Sequence, residues 1–181
     1  MPTPDAPTPH AQQLDELYGL IADIEIALLT TRRRDGHLVT RPMATQRPGR
    51  EVDAGADLFF VTEYDTEKVD ELAADPHVNL GYLDGSTYEW VSVSGTARVS
   101  QDRELIRRLY RPDWKAWFGD EGGERDGGPD DPRLALLLVD AAEAHYAEAR
   151  HSRPVAAVKF LASMVTGERA ELLREEHVED V

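Results

Sequence analysis

Asp35-Gly36 stands between two extended, β-rich runs, IEIALLTT (24–31) and HLVTRPMATQ (37–46). An Asp-Gly pair readily adopts the positive φ angles of a tight turn whose twist matches paired strands, so the stretch is expected to fold as a β-hairpin. Pro42 has no amide hydrogen to give to a ladder, which confines the second run to an edge, a bulge or an irregular stretch. More short runs follow at hairpin spacing: ADLFFVT (56–62), HVNLGYL (77–83), TYEWVSVSGTARVS (87–100) and LALLLVDAAEAHYAEA (134–149). Gly95 predicts a bend or bulge in the third of these four runs. With about six strands mostly adjacent in sequence, the expected architecture is mainly β within an α+β class: a small antiparallel barrel carrying peripheral helices.

The helices are read from apolar spacing. Leu14, Leu17, Tyr18 and Ile21 share one face of a helix over 11–23, and RELIRRLY (103–110) is helical as well. A short helix is expected within 65–76, capped by Asp65 and followed by Pro76. RPDWKAWF (111–118) reads as a short irregular or helical piece. Residues 119–133, rich in Gly, Pro and Asp, read as a mobile loop, 152–154 as a linker and 156–176 as a helical appendage. The expected organisation is a proline-rich disordered tail (1–10), one domain (11–150) and a C-terminal helical extension (151–181).

Composition removes whole classes of function. The 20 Lys and Arg stand against 35 Asp and Glu, a net charge of −15 that disfavours nucleic acid and anionic lipid over most of the surface. No apolar run approaches the roughly 20 residues of a membrane-spanning helix, and the first ten residues lack the basic start and apolar core of a secretory signal. A cytoplasmic location is the default expectation. The absence of cysteine excludes disulfides, thiolate nucleophiles and thiolate metal sites.

Charge is nevertheless segregated. Residues 32–50 hold six arginines and one aspartate, a local +5 in a chain of −15. Such a patch either keeps an edge hairpin soluble or holds a compact anion such as a phosphate, which the planar guanidinium suits. A second feature favours the anion. FFVTEYDTEK ends a strand and opens a helix, placing Thr62 at the strand end and Thr66 and Lys68 near free helix amides. Taken alone, Lys68 is as well explained by a surface pair with Glu67 or Glu71.

The ordered series IALLTT, DG, RPMAT, LFFVT, EK, DPHVNLGYLD and YEWVSVSGTARV resembles the general stress protein 26 group of the pyridoxamine 5′-phosphate oxidase-like, FMN-binding split barrels. The resemblance covers residues 14–149, and the tail resembles an extension that often ends in a short strand. It implies a six-stranded antiparallel split β-barrel, a homodimer, and FMN at the subunit interface. Arg41, Pro42, Met43 and Ala44 would lie along the flavin, Thr62, Thr66 and Lys68 would bind its phosphate side, and the partner would supply Trp90, Val91 and Ser92. Related barrels use FAD, a deazaflavin or haem instead. Oxidation of pyridoxamine phosphate itself is not expected, because RAELLREEHVEDV lacks the basic signature that grips that substrate. Relatives often carry tryptophan where this chain has Tyr146.

No two of the six histidines (His10, His37, His77, His145, His151, His177) stand at the helical spacing of a metal pair, so no metal site is expected. Ser92 and Ser94 lack a nucleophile-elbow context. Trp114, Trp117 and Phe118 are read as packing first and as a cap over a ring second. Flavin chemistry needs mainly orientation and electrostatics from a protein, and no residue stands out as catalytic. Three functions remain open: an oxidoreductase in which flavin carries electrons from a nicotinamide donor to an unknown acceptor, a flavin-binding storage or sensor protein without efficient turnover, and a cofactor-free barrel that acts as an interaction module.

Overall fold

A computed structural model describes residues 9–46, 54–149 and 172–181. In chain order the elements are α1 (His10–Ile24), β1 (Ile26–Arg32), β2 (Leu38–Ala44), β3 (Leu58–Glu63), α2 (Glu67–Ala74), β4 (His77–Leu83), β5 (Trp90–Ser100), α3 (Arg103–Leu109), a turn of 3₁₀ helix (Pro112–Trp114), α4 (Lys115–Phe118), β6 (Leu134–Ala149) and β7 (Leu173–Glu179). All strand pairs are antiparallel, in the order β2-β1-β4-β5-β6-β3, with β7 added beside β6. The two ends of that path, β2 and β3, touch at an isolated bridge between Gln46 and Phe59, so the barrel is split rather than closed. The expected six-stranded split barrel is therefore present with a seventh strand.

β6 organises the sheet. Its sixteen residues pair with β5 along the whole of that strand, while on the other side Leu134–Val139 pair with β3 and Glu143–Ala149 pair with β7. The first six residues of β6 are all buried, because both faces are covered. Leu137 and Val139 face the barrel interior with Leu29, Phe60 and Leu80, beneath Leu17 and Ile21 of α1. Leu134, Leu136 and Leu138 face outward and are covered by Ile106, Leu109, Trp114 and Phe118 of the α3–α4 segment. A strand buried on two faces reads as a continuous apolar run, which explains LALLLV and, in β3, LFFV.

β1 and β4 differ: their burial alternates, so their outward side chains meet solvent. The bulge expected at Gly95 is present as a register shift between Ser94 and Gly95. A Cβ at Gly95 would stand 2.2 Å from the Asp140 carbonyl oxygen, so only glycine permits this approach.

Three expectations need correction. Helix α2 begins after Thr66 rather than at an Asp65 cap, and Thr66 gives its hydroxyl hydrogen to the Glu63 carbonyl instead of capping. The appendage expected as helix through 176 is already strand from Leu173, because β6 outruns β3 and its second half needs another partner; residues 156–171 of that expectation lie outside the described residues, as do residues 1–8 of the expected tail. The segment 119–133 is also not a loose loop. Asp131 is fully buried and accepts hydrogen bonds from the Gly127 amide (2.8 Å), the Arg133 amide (2.9 Å) and the Arg133 guanidinium (2.7 Å). Gly127 holds φ 72°, which turns its amide toward that carboxylate. Arg133 in turn donates to the Phe118 and Gly119 carbonyls, tying the end of α4 to the barrel.

The Arg133 guanidinium holds the Asp131 carboxyl down at about 2 against the upward push of burial. The folded value lies below the unfolded one, so this contribution to stability is complete above the ordinary carboxylate range and is lost as pH falls from about 4 toward 2. Asp131→Asn is expected to cost roughly 3 kcal/mol at neutral pH by removing the buried counter-charge of the Arg133 guanidinium and leaving it only the half-exposed Glu121 at 2.9 Å. Urea unfolding of both proteins across that pH window checks this: the difference between them should shrink as the wild-type carboxylate protonates.

Candidate functional site

A cleft of about 390 Å³ opens where the two ends of the split barrel meet. Pro42, Met43 and Ala44 of β2 form one wall; Val61, Thr62 and Glu63 of β3, with Thr66 and Lys68 at the start of α2, form another. Ile26, Gln46, Trp114, Trp117 and Phe118 complete the lining. Six of the ten residues expected to bind a cofactor thus converge from three separate elements. The remaining four lie elsewhere: Arg41 stands behind the wall, while Trp90, Val91 and Ser92 are on β5 and do not line this cleft. Val91 is buried in the core and Ser92 accepts a hydrogen bond from Asn79.

Arg41 explains why the arginine-rich hairpin is not an open cationic patch. Its guanidinium donates to the Glu71 carboxylate (2.9 Å) and to the Thr31 hydroxyl (2.7 Å), and Thr31 donates to the same carboxylate (2.6 Å). Burial pushes the Glu71 carboxyl up, but the hydrogen bonds from Arg41 and Thr31 and the nearby positive charge outweigh it and hold the group below its usual range. Arg32 pairs with Asp75 at 3.2 Å and Arg33 with Asp35 at 3.5 Å. The sequence shows one aspartate near these arginines; the fold lays the acidic face of α2 across them.

Lys68 is placed differently. Its ammonium bonds the neutral hydroxyls of Thr62 (2.6 Å) and Thr66 (3.3 Å), and no carboxylate among the described residues bonds it. The expected surface pair with Glu67 or Glu71 does not form. Burial first, and then the Arg41 charge, bring its pKa down. Of the residues lining the cleft it is the only base, and the first-turn amides of α2, which a helix leaves without internal partners, lie beside it. The cleft therefore offers one end suited to an anion and one apolar wall suited to a ring.

The aromatic cluster serves both of its readings. Trp114 is buried and donates its indole N–H to Gln46 (2.8 Å), and Phe118 is nearly buried, so these two are packing residues that also floor the cleft. Trp117 is 79% exposed at the same cleft, an unusual position for an indole with no partner to cover it. Gln46, Ile26, Val61 and Glu63 carried no signal in the sequence; they reach the cleft only because the barrel ends meet there. Tyr146 points inward and donates to Glu16 (2.8 Å), so it belongs to the core beneath α1 rather than to the cleft.

A split antiparallel barrel with a cleft at its seam defines a fold class, and comparison with known proteins gives the family. The model for pyridoxamine 5′-phosphate oxidase like proteins matches residues 12–171, and the chain belongs to that family. Protein bli-3 of Neurospora crassa is 40% identical over 145 residues, 79% of this chain and 68% of that one. Among solved structures, a candidate general stress protein 26 from Jannaschia sp. CCS1 superposes with a TM-score of 0.69 at 22% identity, covering 93% of this chain and 99% of its own. The general stress FMN/FAD binding protein of Xanthomonas citri superposes with a TM-score of 0.59 at 26% identity, covering 75% of this chain and 88% of its own.

Because Glu71 is buried against Arg41, removing the guanidinium is expected to cost stability first. Arg41→Met should lower the unfolding free energy by about 3 kcal/mol, and Arg41→Met with Glu71→Gln should recover part of that loss. Denaturant unfolding of the two single variants and the double variant measures the coupling; an unchanged midpoint in Arg41→Met would refute it.

Proposed function

We propose that the protein is a homodimeric, FMN-binding oxidoreductase of the general stress type. The observation that carries this reading is Lys68: a half-buried ammonium held by two neutral hydroxyls in a cleft walled on its other side by Pro42, Met43 and Ala44. That donor set fits a phosphate ester, with Thr62, Thr66 and the first-turn amides of α2 completing the cradle. Arg41, one hydrogen bond back from the cleft, adds positive potential and keeps Glu71 from neutralising Lys68. Pro42, Met43 and Ala44 provide the flat apolar strand along which an isoalloxazine can lie, and Trp117 is free to cover it. The relatives' FMN/FAD binding supports the same assignment. FMN would supply the redox chemistry, accepting electrons from a nicotinamide donor and passing them to an acceptor. The chain's own residues bind, orient and shield the ring.

The uncovered face of the sheet supports the proposed dimer. Ile26, Leu28 and Leu83 point outward with exposures of 46, 47 and 60%, whereas the outward face of β3 and β6 is capped by α3 and α4. Across that open face Leu28, Gly81 and Ser92 stand in register on successive strands, so small residues lie beside a large one, as an interlocking interface needs. Such a face is continuous with the cleft through Ile26 and Pro42. A second copy docked there would bring Trp90 and Ser92 toward the neighbour's cofactor.

Titrating the apoprotein with FMN should quench tryptophan fluorescence with one flavin bound per chain, and Lys68→Glu should weaken that binding by about a hundredfold while leaving the unfolding midpoint in place. Equal affinity in the variant would refute the phosphate assignment. Anaerobic mixing of the loaded protein with NADH or NADPH then separates two roles: bleaching of the flavin absorbance supports an oxidoreductase, and indifference to both donors identifies a flavin store or sensor.

Leu28→Asp together with Leu83→Asp should convert a dimer into monomers in sedimentation velocity and lower FMN affinity in parallel. Wild-type monomers that bind FMN fully would overturn the interface.

A further inference from the structure

Strand β7 brings together two histidines that are 32 positions apart in the sequence. His145 on β6 and His177 on β7 are direct cross-strand partners, with ring centroids 4.1 Å apart and planes within 6° of parallel. Glu143, two residues before His145, shares its face of the sheet, and its carboxylate lies 3.6 Å from His177 Nε2. One donor atom from each of the three side chains can be chosen so that all lie within 4.8 Å of one another. A tetrahedral ion with bonds of about 2.0–2.1 Å places its ligand atoms about 3.4 Å apart, so modest side-chain rotations close the set. Those rotations are unhindered: the His177 and Glu143 side chains are 42 and 47% exposed.

Two further features point to a cation. Glu143 also borders a hollow lined by Asp140, Glu179 and Asp180, which concentrates negative potential beside the imidazoles. Two parallel rings with no hydrophobic cover gain little from packing alone, whereas two neutral imidazole nitrogens and a carboxylate are a borderline donor set that hard, oxygen-seeking ions such as Mg²⁺ do not prefer. Histidine spacing along the chain could not reveal the site, because helical metal pairs are local and this one is made by strand register.

We propose that Glu143, His145 and His177 bind a divalent transition ion of the zinc class. The three ligands belong to one chain, so the site is complete without a second copy, and its fourth position is open to water. None of the three ligands lines the cleft that holds Lys68 on the same chain. By joining β6 to β7, the ion fastens the C-terminal strand to the barrel.

The test uses the full chain after removal of metals with EDTA. Titration with Zn²⁺ in competition with a chromophoric chelator should show one ion bound per chain with micromolar affinity, undisturbed by millimolar Mg²⁺. His145→Ala and His177→Ala should each weaken Zn²⁺ binding by at least about tenfold, and His37→Ala, on the distant hairpin turn, should leave it unchanged. Because all three rings are exposed, the variants are expected to unfold at the wild-type midpoint. Cu²⁺ bound in place of zinc should give an EPR spectrum with two imidazole nitrogens, reduced to one in either single variant. Undiminished Zn²⁺ binding in the double variant, an EPR spectrum with oxygen ligands only, or no Zn²⁺ uptake by the wild type would each overturn the proposal.

Discussion

The two-sided burial of β6 is the constraint on which the rest depends. A strand whose first half is apolar on both faces must be covered twice, once by the barrel interior and once by the α3–α4 segment. That second covering sets Trp114, Trp117 and Phe118 beside β3, at the seam where the barrel fails to close. Past Val139 the strand leaves β3 and takes β7, and the bulge at Ala142 of β6, opposite Ser94 and Gly95 of β5, lets the long strand bend at the changeover. The cleft and the histidine pair thus arise at opposite ends of one strand.

Charge placement follows a similar logic at a finer scale. The hairpin arginines and the acidic face of α2 neutralise one another, and the most buried of these contacts, among Arg41, Glu71 and Thr31, removes the carboxylate that would otherwise pair with Lys68. A lysine left among hydroxyls in a partly dry cleft keeps its charge available for an external anion. The cost is a lysine whose protonated form is less favoured than in water.

Local chemistry was legible wherever it was strong. The Asp35-Gly36 turn, the strands around Phe59, Leu80, Val93 and Leu137, the bulge near Gly95 and an antiparallel α+β barrel all follow from turn residues, apolar period and β-branched content, while the split in the barrel was implied by the family resemblance. Thr62, Thr66 and Lys68 were also readable as neighbours, because strand ends and helix starts are places where backbone groups are free, and the family resemblance added Pro42, Met43 and Ala44. Composition misled at 119–133: glycine and aspartate signal looseness, yet here they build the turn around the Asp131–Arg133 pair. The C-terminal segment misled for another reason, since Leu172 to Glu176 suits a helix locally and becomes strand only because β6 offers an unpaired edge.

The sequence by itself determined the strands, the turns that join them, the absence of thiol chemistry and the residues at the start of α2, because each of these depends on interactions within a few positions. Only the tertiary structure decided which arginine is neutralised, that Gln46 and Trp117 share a cleft with Lys68, that one sheet face lies open while the other is capped, and that His145 meets His177. Those outcomes depend on strand order and register, which join residues tens of positions apart and leave no periodic trace along the chain.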